Sequence, residues 1–268
     1  MDIRLDGRVA AVSGAGGGIG RGIARGLAES GAAVAVMDVR TQAAEAVADE
    51  ITRNFGAEAL AVRVDVTSEE DVDRAVALVV EKLGGLDILV NCAGIAPPAP
   101  LVDFPLDTWQ KTLDVNLTGY FLVGRAAVRA MLARPDGRPG MAIVNVSSKS
   151  GVRGSAEHSA YSATKFGEIG LTQSWARELA RYGIRVNAVC PGNVLRGSGI
   201  WSEEYKEKLA AKLGIDPSKV EEYYERQVPL GRSCEVEDVA NLVVFLVSDK
   251  ASYITGCAHM VDGGQEMR

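Results

Sequence analysis

Short apolar runs alternate along this chain with longer stretches in which apolar residues recur every three or four positions. The runs at 8–12, 32–37, 59–66, 86–90, 142–147, 184–189 and 258–261 are rich in Val, Ala and Ile, and their lengths predict buried strands. The stretches between them predict amphipathic helices, clearest at 69–83 and 237–247, with 19–30 opening the series and 105–132 largely helical. Strands alternating with helices imply a parallel sheet joined by right-handed crossovers. The predicted fold class is therefore α/β, a single doubly wound parallel sheet of about seven strands with helices on both faces. After the sixth run the alternation breaks, and 193–234 reads as an insertion holding two charged helical parts, 203–214 and 217–227. With no repeat, low-complexity stretch or linker, 1–268 is expected to be one domain, and the Pro- and Gly-rich 134–140 a surface loop.

Composition narrows the class of function. A chain of 268 residues, 47% apolar, fits one domain with a large core. A net charge of −6 argues against a nucleic-acid partner. No apolar run approaches the ~20 residues of a membrane span, and the N-terminus reaches the first strand without a signal-peptide core. Cys92, Cys190, Cys234 and Cys257 are scattered with no Cys-x-x-Cys pair, so neither a zinc site nor a disulfide framework is expected. The simplest expectation is a cytoplasmic enzyme without a metal, a nucleic acid or a membrane partner.

Candidate chemistry lies at the strand ends. Ser13-Gly14-Ala15-Gly16-Gly17-Gly18-Ile19-Gly20 joins the first strand to the first helix, where glycines let the backbone approach a pyrophosphate resting on a helix N-terminus. Asp38 closes the second strand, eighteen residues past Gly20, placed to accept from adenosine ribose hydroxyls. Tyr161 and Lys165 stand four apart on a predicted helix, phenol and ammonium on one face. An ammonium so close favours phenolate over phenol, which suits proton exchange with an alcohol or ketone. Ser148 ends the fifth strand, at the strand edge where open α/β sheets bind ligands.

These elements together resemble the short-chain dehydrogenase/reductase family over nearly the whole chain. Its Gly-x-x-x-Gly-x-Gly loop matches Gly14, Gly18 and Gly20, its Asn-Asn-Ala-Gly element matches Asn91-Cys92-Ala93-Gly94, and its catalytic tetrad matches Asn116, Ser148, Tyr161 and Lys165. Pro191-Gly192 and the closing Thr255-Gly256 and Val261-Asp262-Gly263-Gly264 match as well. The chain departs from the family at Cys92, and at Arg196, where a threonine often holds the nicotinamide amide.

The resemblance implies a Rossmann-like fold and NAD as cofactor, bound by Ser13, Gly14, Gly18, Ile19, Gly20, Asp38, Asp65, Val66, Asn91, Ala93, Gly94, Tyr161, Lys165, Pro191, Gly192 and Val194. It further implies Tyr161 as general base, Lys165 on the nicotinamide ribose, Ser148 on the substrate oxygen, Asn116 anchoring a water, a lid over the substrate at 193–234, and a homotetramer. Arg40 is a complication for cofactor choice, because a guanidinium can pair with the extra phosphate of NADP.

A narrower likeness, in Ser148-Lys149-Ser150-Gly151, Lys212-Leu213-Gly214-Ile215, Tyr223-Tyr224 and Gly263-Gly264-Gln265, points to the family's polyol-phosphate branch. Its members interconvert sorbitol 6-phosphate and fructose 6-phosphate with NAD. The expected substrate is a small polyol or polyol phosphate met by Ser148, Tyr161 and the cations Lys149 and Arg196, with Arg153 a further candidate. A free polyol is the alternative, and a catalytically silent binding module is opposed by the complete tetrad. An NADPH-linked reductase is opposed by Asp38. His158 reads as a helix cap or surface residue, with substrate contact as the alternative. Trp201, Tyr205, Tyr223 and Tyr224 either pack the lid down or face the substrate.

Overall fold

The structure, a computed structural model, describes residues 3–134, 140–199 and 201–266. Most of the loop expected at 134–140 lies outside them, as does Ile200 within the insertion. The strands are β1 (Val9–Ser13), β2 (Ala33–Asp38), β3 (Ala59–Arg63), β4 (Ile88–Asn91), β5 (Ala142–Val146), β6 (Arg185–Pro191) and β7 (Ala258–Val261). They form one sheet in the order β3-β2-β1-β4-β5-β6-β7, every pair parallel. Strand order reverses between β1 and β4, which opens a crevice at their C-terminal ends.

Successive side chains of a strand point to opposite faces, so each strand feeds two cores. Ala10, Val12, Val34, Val36, Ile88 and Val90 pack under α1 (Gly18–Glu29), α2 (Thr41–Phe55) and α9 (Val236–Val247). Ala11, Ala35, Met37, Leu89 and Ile143 face α3 (Glu69–Leu83), α5 (Gly119–Leu132) and α6 (Ser159–Leu179). Both clusters are almost fully buried, which is why the strands read as unbroken apolar runs.

Several boundaries differ from the expectation for local reasons. β3 ends at Arg63 because its partner β2 ends at Asp38: the Val64 amide makes the last ladder bond, to the Asp38 carbonyl, and Asp65 then closes a turn by accepting from Thr67. β6 runs on to Pro191, since Cys190 and Pro191 pair with Met260 and Val261 of β7. The helix expected at 105–132 is α4 (Leu106–Leu113) and α5 separated by a π-helical turn, Asp114–Thr118, in which the Gly119 amide donates to the Asp114 carbonyl. Such turns recur at functional sites, and this one carries Asn116 at zero exposure.

The insertion holds α7 (Glu203–Leu213), a 3₁₀ turn at Pro217–Lys219 and α8 (Val220–Glu225). Among the described residues no helix is long and apolar enough to cross a membrane.

Candidate active site

The crevice at the strand-order reversal encloses about 920 Å³ and is lined by Gly14, Gly18, Ile19, Gly20, Asp38, Asp65, Val66, Ala93, Gly94, Tyr161 and Lys165. Eleven of the expected cofactor residues are thus brought together from α1, α6, the end of β2 and the segments that follow β1, β3 and β4. The glycine spacing has a direct steric cause at two positions. Gly14 has φ +67°, and a Cβ there would lie 2.7 Å from Ala93 Cα; a Cβ on Gly20 would lie 2.3 Å from the Gly14 carbonyl oxygen. α1 begins without a side-chain cap and without an acidic residue in its first turn, so its free amides and positive dipole end face the crevice. This arrangement fits the pyrophosphate of a dinucleotide.

Asp38 is buried at the end of β2 and accepts from the Gly16 amide at 2.9 Å, the Arg40 amide at 2.9 Å and Arg40 Nε at 3.1 Å. Hydrogen bonds from Thr67 hold the Asp65 carboxyl below the usual carboxylate range. Two expected cofactor residues stand behind the wall and do not line it. The Ser13 hydroxyl accepts from the Cys92 and Ala93 amides, at 3.1 and 3.3 Å, and so holds the loop after β4. Asn91 is turned into the sheet and donates to Asn145 at 3.0 Å.

The tetrad comes from the π-turn, the end of β5 and α6. Asn116 Nδ2 donates to the Ile95 carbonyl at 2.9 Å and to Thr164 Oγ1 at 3.2 Å, while Asn116 Oδ1 accepts from the Ile95 amide at 2.8 Å. Thr164 Oγ1 in turn donates to the Tyr161 carbonyl, which ties the tyrosine's helix to the π-turn. Ser148 Oγ accepts from the Ser150 amide at 3.1 Å. Lys165 is almost fully buried, with Nζ 5.5 Å from the Tyr161 ring centre, and donates to the Val146 carbonyl and to both oxygens of Glu168. Burial opposes the ammonium, but Glu168 and Tyr161 more than offset it and raise its pKa. Burial pushes the Glu168 carboxyl up, to about 8, against the pull of Lys165.

Tyr161 also lines a second cavity of about 470 Å³, together with Ser148, Lys149, Arg153, Glu157, His158 and the lid. Pro191, Gly192 and Val194, expected at the cofactor, border this cavity with Ser148 and Tyr161 and do not line the crevice. Lys149 is half-buried there and its ammonium, among the described residues, makes no hydrogen bond or ion pair; desolvation lowers its pKa although Glu266 and Asp262 oppose this.

The structure corrects the expectation for Arg196. It borders neither cavity, and its guanidinium reaches Glu221 at 2.8 Å and Glu225 at 3.4 Å on α8. Two carboxylates on the lid claim the charge before any substrate can. His158 does not cap α6: its side chain meets the Ala156 carbonyl and its ring stands edge-on to Tyr161, 6.2 Å between centres. Trp201 packs edge-on against Tyr205 and Tyr224, and all three border the second cavity. The lid aromatics therefore hold α7 to α8 and face the cavity at once.

Three residues of the site were not foreseen from sequence. Glu168 is three positions after Lys165, a spacing that puts both on one helix face. Gln265 borders the second cavity with its Oε1 buried and without a partner. Ser198 lies against Gly18 at the crevice mouth, a contact between distant segments that no local pattern announces.

A family model described as Enoyl-(Acyl carrier protein) reductase matches residues 14–266. The chain is 44% identical over 261 residues to the sorbitol-6-phosphate 2-dehydrogenase of Escherichia coli K12, covering 97% of this chain and 99% of that protein. The crystal structure of sorbitol-6-phosphate 2-dehydrogenase from Erwinia amylovora superposes with a TM-score of 0.91 at 42% identity, over 97% of this chain and 100% of that one. An NAD⁺-bound xylitol dehydrogenase superposes with a TM-score of 0.86 at 34% identity, over 97% of this chain and 99% of that one.

Proposed function

The chain belongs to the short-chain dehydrogenase/reductase family and is an alcohol dehydrogenase that uses a nicotinamide cofactor; from that premise we propose that the cofactor is NAD and that the reaction interconverts sorbitol 6-phosphate and fructose 6-phosphate. When bound, nicotinamide supplies the hydride acceptor. Tyr161 takes the proton of the substrate hydroxyl, and Ser148 donates to the substrate oxygen and steadies its charge. Lys165 favours the phenolate and binds the nicotinamide ribose, while Asn116 anchors a water that carries the proton towards solvent.

The observation that carries the substrate reading is Lys149. The charged groups bordering the second cavity are Lys149, Arg153, Lys212, Glu157 and Glu266. Arg153 pairs with Glu266 at 3.1 Å and Lys212 with Glu157 at 2.7 Å, which leaves the Lys149 ammonium uncompensated beside Ser148. One charge-assisted hydrogen bond is worth about 1.5–3 kcal/mol, or roughly 10- to 100-fold in preference for the phosphorylated polyol. The test is kcat/KM for sorbitol 6-phosphate against sorbitol, in the parent and in Lys149→Ala. A parent that uses the free polyol at least as well overturns the phosphate reading; a phosphate preference that survives Lys149→Ala removes Lys149 from it. Gln265 supports the second reading, a free polyol, because a buried acceptor without a partner matches a hydroxyl and repels a phosphate.

NAD is favoured over NADP because Asp38 sets a carboxylate where the extra phosphate would go, with Arg40 held on that same carboxylate. Equal catalytic efficiency with both cofactors would show that Arg40 decides the choice. A cytoplasmic homotetramer completes the proposal on the strength of the family likeness, and light scattering that finds only a 28.3 kDa species would remove the tetramer.

A further inference from the structure

One buried acid has no part in that proton transfer. Glu168 has zero exposure on α6, one turn past Lys165, and its two oxygens accept from Lys165 Nζ at 2.9 and 3.1 Å. The remaining hydrogen bond of that ammonium among the described residues goes to the Val146 carbonyl, at 2.9 Å, and the Tyr120 and Tyr161 rings lie 5.3 and 5.5 Å from it. An ammonium has three donors, so all are engaged within the protein and none is left for a ribose hydroxyl or for Tyr161. A chain of buried polar groups holds α6 here: Asn91 donates to Asn145, Asn145 to Thr172, and Thr172 to the Glu168 carbonyl. The other titratable groups facing the cluster are Tyr120 of α5, Cys92 after β4 and Cys190 of β6. Burial pushes all three up, Cys92 to about 12 and Cys190 to about 11, so they stay neutral.

One cation therefore faces two acids, Glu168 and Tyr161, in a site where two neighbouring anions are costly. We propose that Glu168 is a positioning residue and counter-ion that competes with Tyr161 for the charge of Lys165, and thereby sets the pH at which Tyr161 can accept the substrate proton. Ionised Glu168 holds Lys165 back and disfavours the phenolate. Protonation of Glu168, or a cofactor hydroxyl that draws Lys165 away, releases that charge to Tyr161. The inference rests on Tyr161 being the proton-transfer group.

Glu168→Gln keeps the shape of the side chain and removes its charge. In alcohol oxidation, the acidic limb of the parent's kcat/KM profile is expected at or above about pH 8, where Glu168 is ionised, and that of the variant about one pH unit lower, or about tenfold in rate at a pH on the limb. Glu168→Asp, which draws the carboxylate back by one methylene, moves the limb the same way by less, and it carries the test alone if the glutamine variant does not fold. A limb that stays in place in the folded variants overturns the proposal, because loss of a merely structural contact lowers the whole profile without moving it.

A second readout needs no substrate. Ultraviolet difference titration of tyrosinate, corrected with Tyr161→Phe in each background, is expected to show Tyr161 ionising at lower pH without the Glu168 charge. An unchanged titration refutes the counter-ion even if the alcohol has been misassigned.

Discussion

Burial and charge oppose each other at the Lys165–Glu168 pair, and the balance has a measurable sign. The Glu168 carboxyl is raised in the folded protein from 4.5 to about 8, first by burial, so between these values it keeps a proton that the unfolded chain has lost. Its contribution to stability is then present at low pH and lost as pH rises through that window. Lys165 is also raised, and its contribution persists until the pH passes the lysine range. Thermal unfolding of the parent against Glu168→Gln is therefore expected to show the parent losing ground from pH ~5 to pH ~8; a constant difference would contradict the raised carboxyl. Tyr161 bears a separate expectation as the proton-transfer group. Tyr161→Phe should reduce turnover by ~10²–10⁴ with NAD affinity nearly intact, as read by steady-state kinetics and calorimetry. The sequence singled out Asp38, Ser148, Tyr161 and Lys165 by their offsets from strand ends and from one another, and Asn116 by the family likeness. Glu168 carries no motif, and its burial against Lys165 is a property of the packed helix.

The elements of the sheet were legible because burial on both faces imposes apolar runs, and their centres match while several ends do not. β6 outlasts its apolar run because β7, nearly seventy residues away in sequence, pairs with its last two residues. The π-turn at Asp114–Thr118 was read as ordinary helix, since i→i+5 bonding leaves the apolar period almost unchanged. The lid was legible as an interruption and as two charged helices, but the targets of its charges were not. Arg196, expected at the substrate, bridges Glu221 and Glu225 with two-thirds of its side chain exposed. Solvent screens exposed pairs of this kind, so they add little to stability. Arg196→Ala is thus expected to leave any phosphate preference unchanged and to shift the denaturant midpoint of unfolding little. A lost preference would return Arg196 to the substrate.

Across the whole molecule, one crevice is lined by the glycine loop, Asp38, the segment after β4 and α6, so a dinucleotide bound there should stabilise these elements together. NAD at 100 times its dissociation constant stabilises the fold by about 2.7 kcal/mol, which corresponds to roughly 5–11 °C in melting temperature for a chain of this size. Gly14→Val sets a side chain against Ala93 in a left-handed backbone position, and its melting temperature should not respond to NAD. A normal response would mean that the loop can move aside. The alternation of strands and helices and the doubly wound class were determined by sequence alone, because both depend on the periodicity of apolar positions. Tertiary structure decided which charges neutralise one another. It gave Arg196 to the lid, left Lys149 uncompensated in the cavity, and buried Glu168 against Lys165, because the energy of a charge depends on the distance and solvation of groups brought together by the fold.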